Sequence, residues 1–188
     1  MDELKTYLEK LIRFTEEESQ IFTSLFQEVQ LKKLSYFVQE GEYSSKLAFL
    51  SKGVMRAFFR NGTGDEYNKT FFTPQNFAAA YSSITTKKKS QINIQCLTDC
   101  KLLVADFDKI TSLYDQYPNI ERLARILAEY KFEIKEKREI ELVTLAAKER
   151  YKIFKVEHPD LENQISQYHI ASYLGISPTQ LSRIRAKK

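Results

Sequence analysis

The sequence predicts an α+β fold, a β-roll held between helical segments, and three observations carry that reading. The first thirty residues place apolar side chains at helical spacing. From Leu31, short β-favouring runs alternate with turn residues. From Phe107 the helical period returns.

At the start, Leu4, Tyr7, Leu8, Leu11 and Ile12 share one helical face. Thr15 with Glu18 forms the pattern of a capping box. It opens a second helix whose inner side is expected to carry Ile21, Phe22, Leu25, Phe26 and Val29. Six runs then read as strands: residues 33–38, 47–50, 54–59, 67–72, 91–97 and 101–105. The turn signals between them include Gly41-Glu42, Lys52-Gly53 and Asn61-Gly62-Thr63-Gly64-Asp65. Asn-Gly between apolar runs favours a hairpin, because both residues tolerate positive φ. Short strands this closely spaced predict a small antiparallel barrel or roll. A short helix is expected over 107–114, ending before Pro118.

A long helix follows from about Asn119 to about residue 147, with no Gly or Pro inside it. Ile120, Leu123, Leu127, Tyr130 and Ile134 step by 3, 4, 3 and 4. That is a heptad seam, expected to face a second copy of the helix in a homodimer. The expected domains are residues 1–117, 118–147 and 148–188.

The stretch Gln167-Tyr168-His169-Ile170-Ala171-Ser172-Tyr173-Leu174-Gly175-Ile176-Ser177-Pro178 reads as a helix and a tight turn into a second helix. Ile170 and Leu174 lie on one face, and Ala171 is small enough for close helix approach. Gly175 suits the left-handed turn position, Ser177 the N-cap, and Pro178 the first helical position. Leu181 and Ile184 face inward. Residues 177–188 contain Arg183, Arg185, Lys187 and Lys188 and no acid, in a chain of net charge +4. This is the pattern of a helix-turn-helix that binds double-stranded DNA. Its candidate DNA-binding residues are Ser177, Thr179, Gln180, Ser182, Arg183, Arg185, Lys187 and Lys188. Arg183 suits guanine, because its fork pairs with O6 and N7. Thr179 and Gln180 lie in the N-terminal turn that enters the groove, and Arg185, Lys187 and Lys188 suit phosphates.

Composition excludes several classes. The chain of 188 residues is 43% hydrophobic and 29% charged, as a globular protein is. It has no apolar run long enough for a membrane helix and no signal-peptide h-region, so no membrane partner and a cytoplasmic location are expected. Cys96 and Cys100 make no disulfide framework and read as small buried hydrophobes. The two histidines, His158 and His169, lie outside the roll, and no Gly-rich phosphate loop is present. No enzyme, metal site or cofactor is expected. An alternative is a ligand- or protein-binding roll with a vestigial helix-turn-helix.

The order helix, roll, long helix, helix-turn-helix resembles the Crp/Fnr family of cyclic-AMP receptor-like transcription regulators. Further carriers are Gln39-Glu40-Gly41-Glu42, Leu47-Ala48-Phe49-Leu50-Ser51-Lys52-Gly53, Arg56, the hairpin of residues 61–66 and Phe72-Thr73-Pro74-Gln75-Asn76-Phe77. The helix-turn-helix looks like that of the branch common in Bacteroidetes. The resemblance implies a cyclic-nucleotide-binding-like roll, a double-stranded β-helix, with a dimerisation helix and RNA polymerase as a further candidate partner. The family's pocket uses Gly-Glu for the ribose and Arg for the cyclic phosphate. Aligned on Phe77, those positions fall at Ala79-Ala80 and Ser90, which bring neither carboxylate nor cation. A degenerate pocket near Phe72, Phe77, Ala79, Ala80, Tyr81, Ser90 and Gln91 is therefore expected, with an unidentified small-molecule effector or none. Lys87–Lys89 reads as a solvated loop. An iron–sulfur sensor needs about four cysteines. Where well-known members carry Arg and Glu on the recognition helix, this chain has Pro178 and Thr179, and Arg183 alone matches. The sequence stops four residues after Ile184, so an incomplete wing is expected.

Overall fold

The computed structural model describes residues 1–186. Helix α1 (Asp2–Glu9) buries Leu4 and Leu8. Helix α2 (Glu16–Ser24) opens on the expected capping box. The Glu18 amide donates to Thr15 Oγ1 at 3.2 Å, and the Thr15 amide donates to Glu18 Oε2 at 2.8 Å. Val29, expected from the sequence on this helix, lies instead in strand β1 (Gln27–Leu31). The cause is the alternation in Gln27-Glu28-Val29-Gln30-Leu31, which sends Val29 and Leu31 against the roll's interior.

The roll comprises β1 with β2 (Tyr36–Val38), β3 (Lys46–Lys52), β4 (Met55–Arg60), β5 (Glu66–Phe72), β6 (Asn76–Ala78), β7 (Asn93–Cys96) and β8 (Cys100–Asp106). Two four-stranded sheets run in the orders β1-β8-β3-β6 and β2-β7-β4-β5. Strand β8 is central to the first, with Val29 opposite Leu102 on one side and Ala48 opposite Val104 on the other. Alternation along β3 separates two cores. Ala48 and Leu50 join Met55, Ala57, Ile94 and Leu102 inside the roll. Phe49 turns outward to Leu4, Leu8, Phe22 and Phe26 of the helical layer. There its ring lies 5.3 Å from Phe77, its cross-strand partner. Strand β6 and helix α3 (Tyr81–Thr86) were not predicted from sequence. Three residues are too few for alternation to register.

Gly53 makes the turn from β3 to β4 at φ +98, and a Cβ there would meet the Asp99 carbonyl at 2.5 Å. Asn61 ties the β4–β5 hairpin loop, its Oδ1 accepting from the amides of Thr63 and Asp65. Helix α4 (Phe107–Thr111) is shorter than predicted and is capped by the Asp106 carboxylate. Helix α5 (Pro118–Thr144) follows. No helix among the described residues is long and apolar enough to cross a membrane.

The chain divides into two compact units, Met1–Ala57 with Phe71–Tyr130, and Phe58–Thr70 with the chain from Lys131 onward. The second unit contains the end of α5, α6 (Ala147–Glu157), α7 (Leu161–Gln164), α8 (Gln167–Leu174) and α9 (Pro178–Ala186). Phe154, Leu161, Ile170, Ala171, Tyr173, Leu174 and Leu181 are buried in it. His158 stacks beside this core, 5.3 Å from Phe154 and 6.0 Å from Tyr173, centroid to centroid.

Burial, opposed by Glu157 and aided by the Arg138 charge, holds the His158 imidazole below its ordinary value of 6.5. The unfolded chain therefore takes up this proton first. The stabilisation from the neutral ring is complete above pH 6.5 and is lost as pH falls through that value towards the folded one. Thermal unfolding of His158→Phe should lose less stability between pH 7.5 and about 5.5 than the wild type does. Equal losses in both proteins would show that His158 is not the titrating group.

Candidate nucleic-acid interface, roll interior and long helix

Helix α8 opens on Ser166, whose Oγ accepts from the Tyr168 amide. It ends at Gly175, at φ +66. The Ile176 amide donates to the Ala171 carbonyl at 3.0 Å and the Gly175 amide to Ser172 at 3.2 Å. Those two bonds make a Schellman turn. Helix α9 then starts on a capping box. The Gln180 amide donates to Ser177 Oγ at 3.2 Å, and the Ser177 amide donates to Gln180 Oε1 at 3.1 Å. Leu181 is buried and Ile184 half-buried, so Thr179, Gln180, Ser182 and Arg183 form the exposed edge. Arg185 is half-buried, and Lys187 and Lys188 lie outside the described residues. Ser177 and Gln180 are engaged with each other, which leaves Thr179, Ser182 and Arg183 on that edge.

Two arginines that sequence reasoning missed brace this pair. The Arg138 guanidinium lies 3.9 Å from the Tyr173 ring centroid and donates to the Tyr173 carbonyl. Arg150 donates to the Leu174 carbonyl at 3.1 Å and also to the carbonyls of Leu142 and Leu145. Nothing in the local sequence marks either residue. The β4–β5 hairpin is held to α8 as well. The Asn68 amide donates to Ser172 Oγ at 3.0 Å, and its side chain donates to the His169 carbonyl at 3.0 Å. The Ser172 hydroxyl in turn donates to the Glu66 carbonyl at 2.6 Å.

The predicted pocket residues do not all converge. Phe72 and Ala80 belong to the roll's interior core, together with Cys96 and Cys100. Both cysteines are free and buried. Phe77 belongs to the outer, helical core. Ala79 is half-buried at the start of α3, whereas Tyr81 and Gln91 are exposed. Ser90 is buried, its hydroxyl donating to the Ile92 carbonyl at 2.7 Å and accepting from the Ile92 amide. Lys87 pairs with the Asp108 carboxylate, and Lys89 lies over the Tyr43 ring. Arg56 is buried outside the apolar interior and donates to Gln95 Oε1. Among the described residues, no three His, Cys, Asp or Glu side chains are grouped as metal ligands.

The heptad seam of α5 divides. Ile120 and Leu123 are fully buried in the first unit's helical core, and Leu127 packs against it. Tyr130 and Ile134 are exposed. A different face of the helix carries Phe132, Ile140 and Val143, which are 68%, 56% and 87% exposed. These three lie within about 80° of one another around the helix.

Residues 28–117 match the family model of the cyclic nucleotide-binding domain. No curated protein matches the chain. Among solved structures, FixK2 from Bradyrhizobium japonicum superposes with a TM-score of 0.75 at 16% identity, over 86% of this chain and 83% of that one. The c-di-GMP-responsive global regulator CLP from Xanthomonas campestris gives 0.72 at 13% identity, over 92% and 91%. A Eubacterium rectale protein described as a transcriptional regulator of the Crp/Fnr family gives 0.71 at 13% identity, over 91% and 82%. At such identities the likeness is one of fold. The chain thus has the roll-and-long-helix fold seen in Crp/Fnr-type regulators, and its residues 28–117 are similar to a cyclic nucleotide-binding domain.

Proposed function

We propose that this chain is a sequence-specific DNA-binding transcription regulator of the Crp/Fnr type, acting as a homodimer and not as an enzyme. The observation that carries the reading is the exposed, acid-free edge of α9. It is presented by a Schellman turn, a capping box and two bracing arginines. Arg183 and Thr179 are the proposed base-reading residues. Ser177 and Gln180 set the pitch of the helix, and Gln180 exchanges its cap for a base where the operator offers one.

The roll is proposed to have a degenerate pocket. Ala80 sits in an apolar core, and the Ser90 hydroxyl is used by its own turn. An anion in that place would lack the cation that its desolvation needs. The proposed dimer surface is the Phe132, Ile140 and Val143 face of α5, because Ile120 and Leu123 are consumed within the chain. Apolar side chains this exposed on one helical face favour a second helix against them.

Selection of bound duplexes from a random pool should return a two-fold symmetric site. Arg183→Ala should weaken binding to that site by about 1–3 kcal/mol and relax preference at one base pair of each half. A folded dimer that binds no duplex at low salt would overturn the reading. Ile140→Glu combined with Val143→Glu should raise the dimer dissociation constant at least about a hundredfold in analytical ultracentrifugation. Unchanged sedimentation would exclude this face. Cyclic AMP at micromolar concentration should leave the thermal midpoint unmoved, whereas a ligand at about a hundred times its Kd adds about 2.7 kcal/mol. A clear upward shift would restore a working pocket.

A further inference from the structure

A concavity lies in the helical unit, on the side of α9 away from its exposed edge. It has a volume of about 480 Å³ and is bounded by α6, α9 and Glu162 of α7. Lys148, Lys152 and Lys155 enter it from α6 at i, i+4 and i+7, so they share one face of that helix. Arg185 enters from α9. Each helical residue turns the chain by about 100°, so Arg185 stands about 200° round from Arg183. The side chain proposed to read bases and the one lining this cavity therefore point in nearly opposite directions.

The charge in the cavity is unbalanced. Its one carboxylate, Glu162, accepts from the Tyr151 hydroxyl at 2.6 Å. Burial, with the hydrogen bond to Glu162, pushes the Tyr151 phenol up to about 12, so it remains a neutral donor. Four cations against one carboxylate leave three positive charges. Among the described residues, none of the four cations forms a salt bridge, whereas Lys137 of α5 reaches both Glu141 and Glu157. Lys155 lies instead over the Tyr151 ring, 5.1 Å from its centroid. Ile184 and the lysine stems complete an apolar wall beside the charges. Like charges converging on a cavity of ligand size attract a polyanion. One carboxylate ligand would bring a single negative charge, whereas a terminal phosphate alone brings about −1.5 to −2.

We infer that this cavity is a binding site for a small polyphosphorylated ligand of nucleotide size, in the helical unit and separate from both the roll and the base-reading edge. The phosphates meet Lys148, Lys152, Lys155 and Arg185, and the organic body lies against Tyr151 and Ile184. The site does not depend on DNA recognition, since its cations face away from the proposed reading edge.

Isothermal titration of the full chain, without DNA, tests this with ATP, AMP and adenosine as probes. ATP should bind one per chain, AMP more weakly, and adenosine not at all. Lys152→Gln combined with Lys155→Gln should weaken ATP binding at least about tenfold and leave the thermal midpoint of the free protein unchanged. Arg185→Gln, on the other helix, should weaken it in the same sense and serves if the double variant fails to fold. Absence of ATP binding, or ATP binding that neither variant alters, would overturn the inference. So would variants that lower duplex affinity and its salt slope while ATP fails to bind, because the lysines would then belong to a DNA surface.

Discussion

The helical unit depends on one guanidinium. Helix ends leave carbonyl groups without internal partners, and those groups carry the negative end of the helix dipole. Arg150 sits where two such ends meet. It donates to Leu142 and Leu145 at the close of α5 and to Leu174 at the close of α8. A planar fork with five donors can serve several acceptors at fixed angles, which a lysine ammonium cannot. Arg138 repeats the device one residue earlier on α8, adding the face of the Tyr173 ring. Because α8 is fixed at its C-terminal end, the Schellman turn that follows has a defined starting direction. The exposed edge of α9 inherits that direction, so cations away from the edge set where it points.

Local chemistry was legible in the sequence wherever a signal occupied a few adjacent residues. The Thr15–Glu18 capping box, the Asn61–Asp65 hairpin loop and the Gly175–Pro178 turn all appear as read. Signals spread over longer distances were less certain. The steps of 3 and 4 from Ile120 to Ile134 read as a seam for a second helix, whereas Ile120 and Leu123 are buried in the first unit's own core. Over two heptads, however, a 3.5-residue period cannot be told from 3.6, so a partner helix and the chain's own roll look alike. The Ser177–Gln180 pattern was open to recognition as a capping box. Its weight was missed because glutamine at that position also suits a base edge. Arg138 and Arg150 gave no signal, since their acceptors lie up to 35 residues away in sequence.

The roll keeps apolar side chains inside and ties its buried polar groups to nearby partners. Alternation along β3 sends Ala48 and Leu50 inward and Phe49 outward, and the interior is closed by apolar side chains from both sheets. Its buried polar groups are bonded locally. Ser90 serves its own turn, Asn93 accepts from the Glu40 amide, and Gln95 links Arg56 to the Leu34 carbonyl. These bonds satisfy buried polar atoms and hold the strand ends, which is a structural duty.

The hairpin bonds to α8 have a consequence for how the chain matures. Residues 58–70 are made long before residues 166–174, yet Asn68 and Glu66 find their partners on His169 and Ser172. The outer half of the hairpin can complete these hydrogen bonds only with residues about a hundred positions later in the chain. A fragment beginning at Lys131 would lose those three hydrogen bonds entirely. The helical unit is thus discontinuous in the gene, and cutting the protein at an apparent linker would divide a cooperative piece rather than separate two modules.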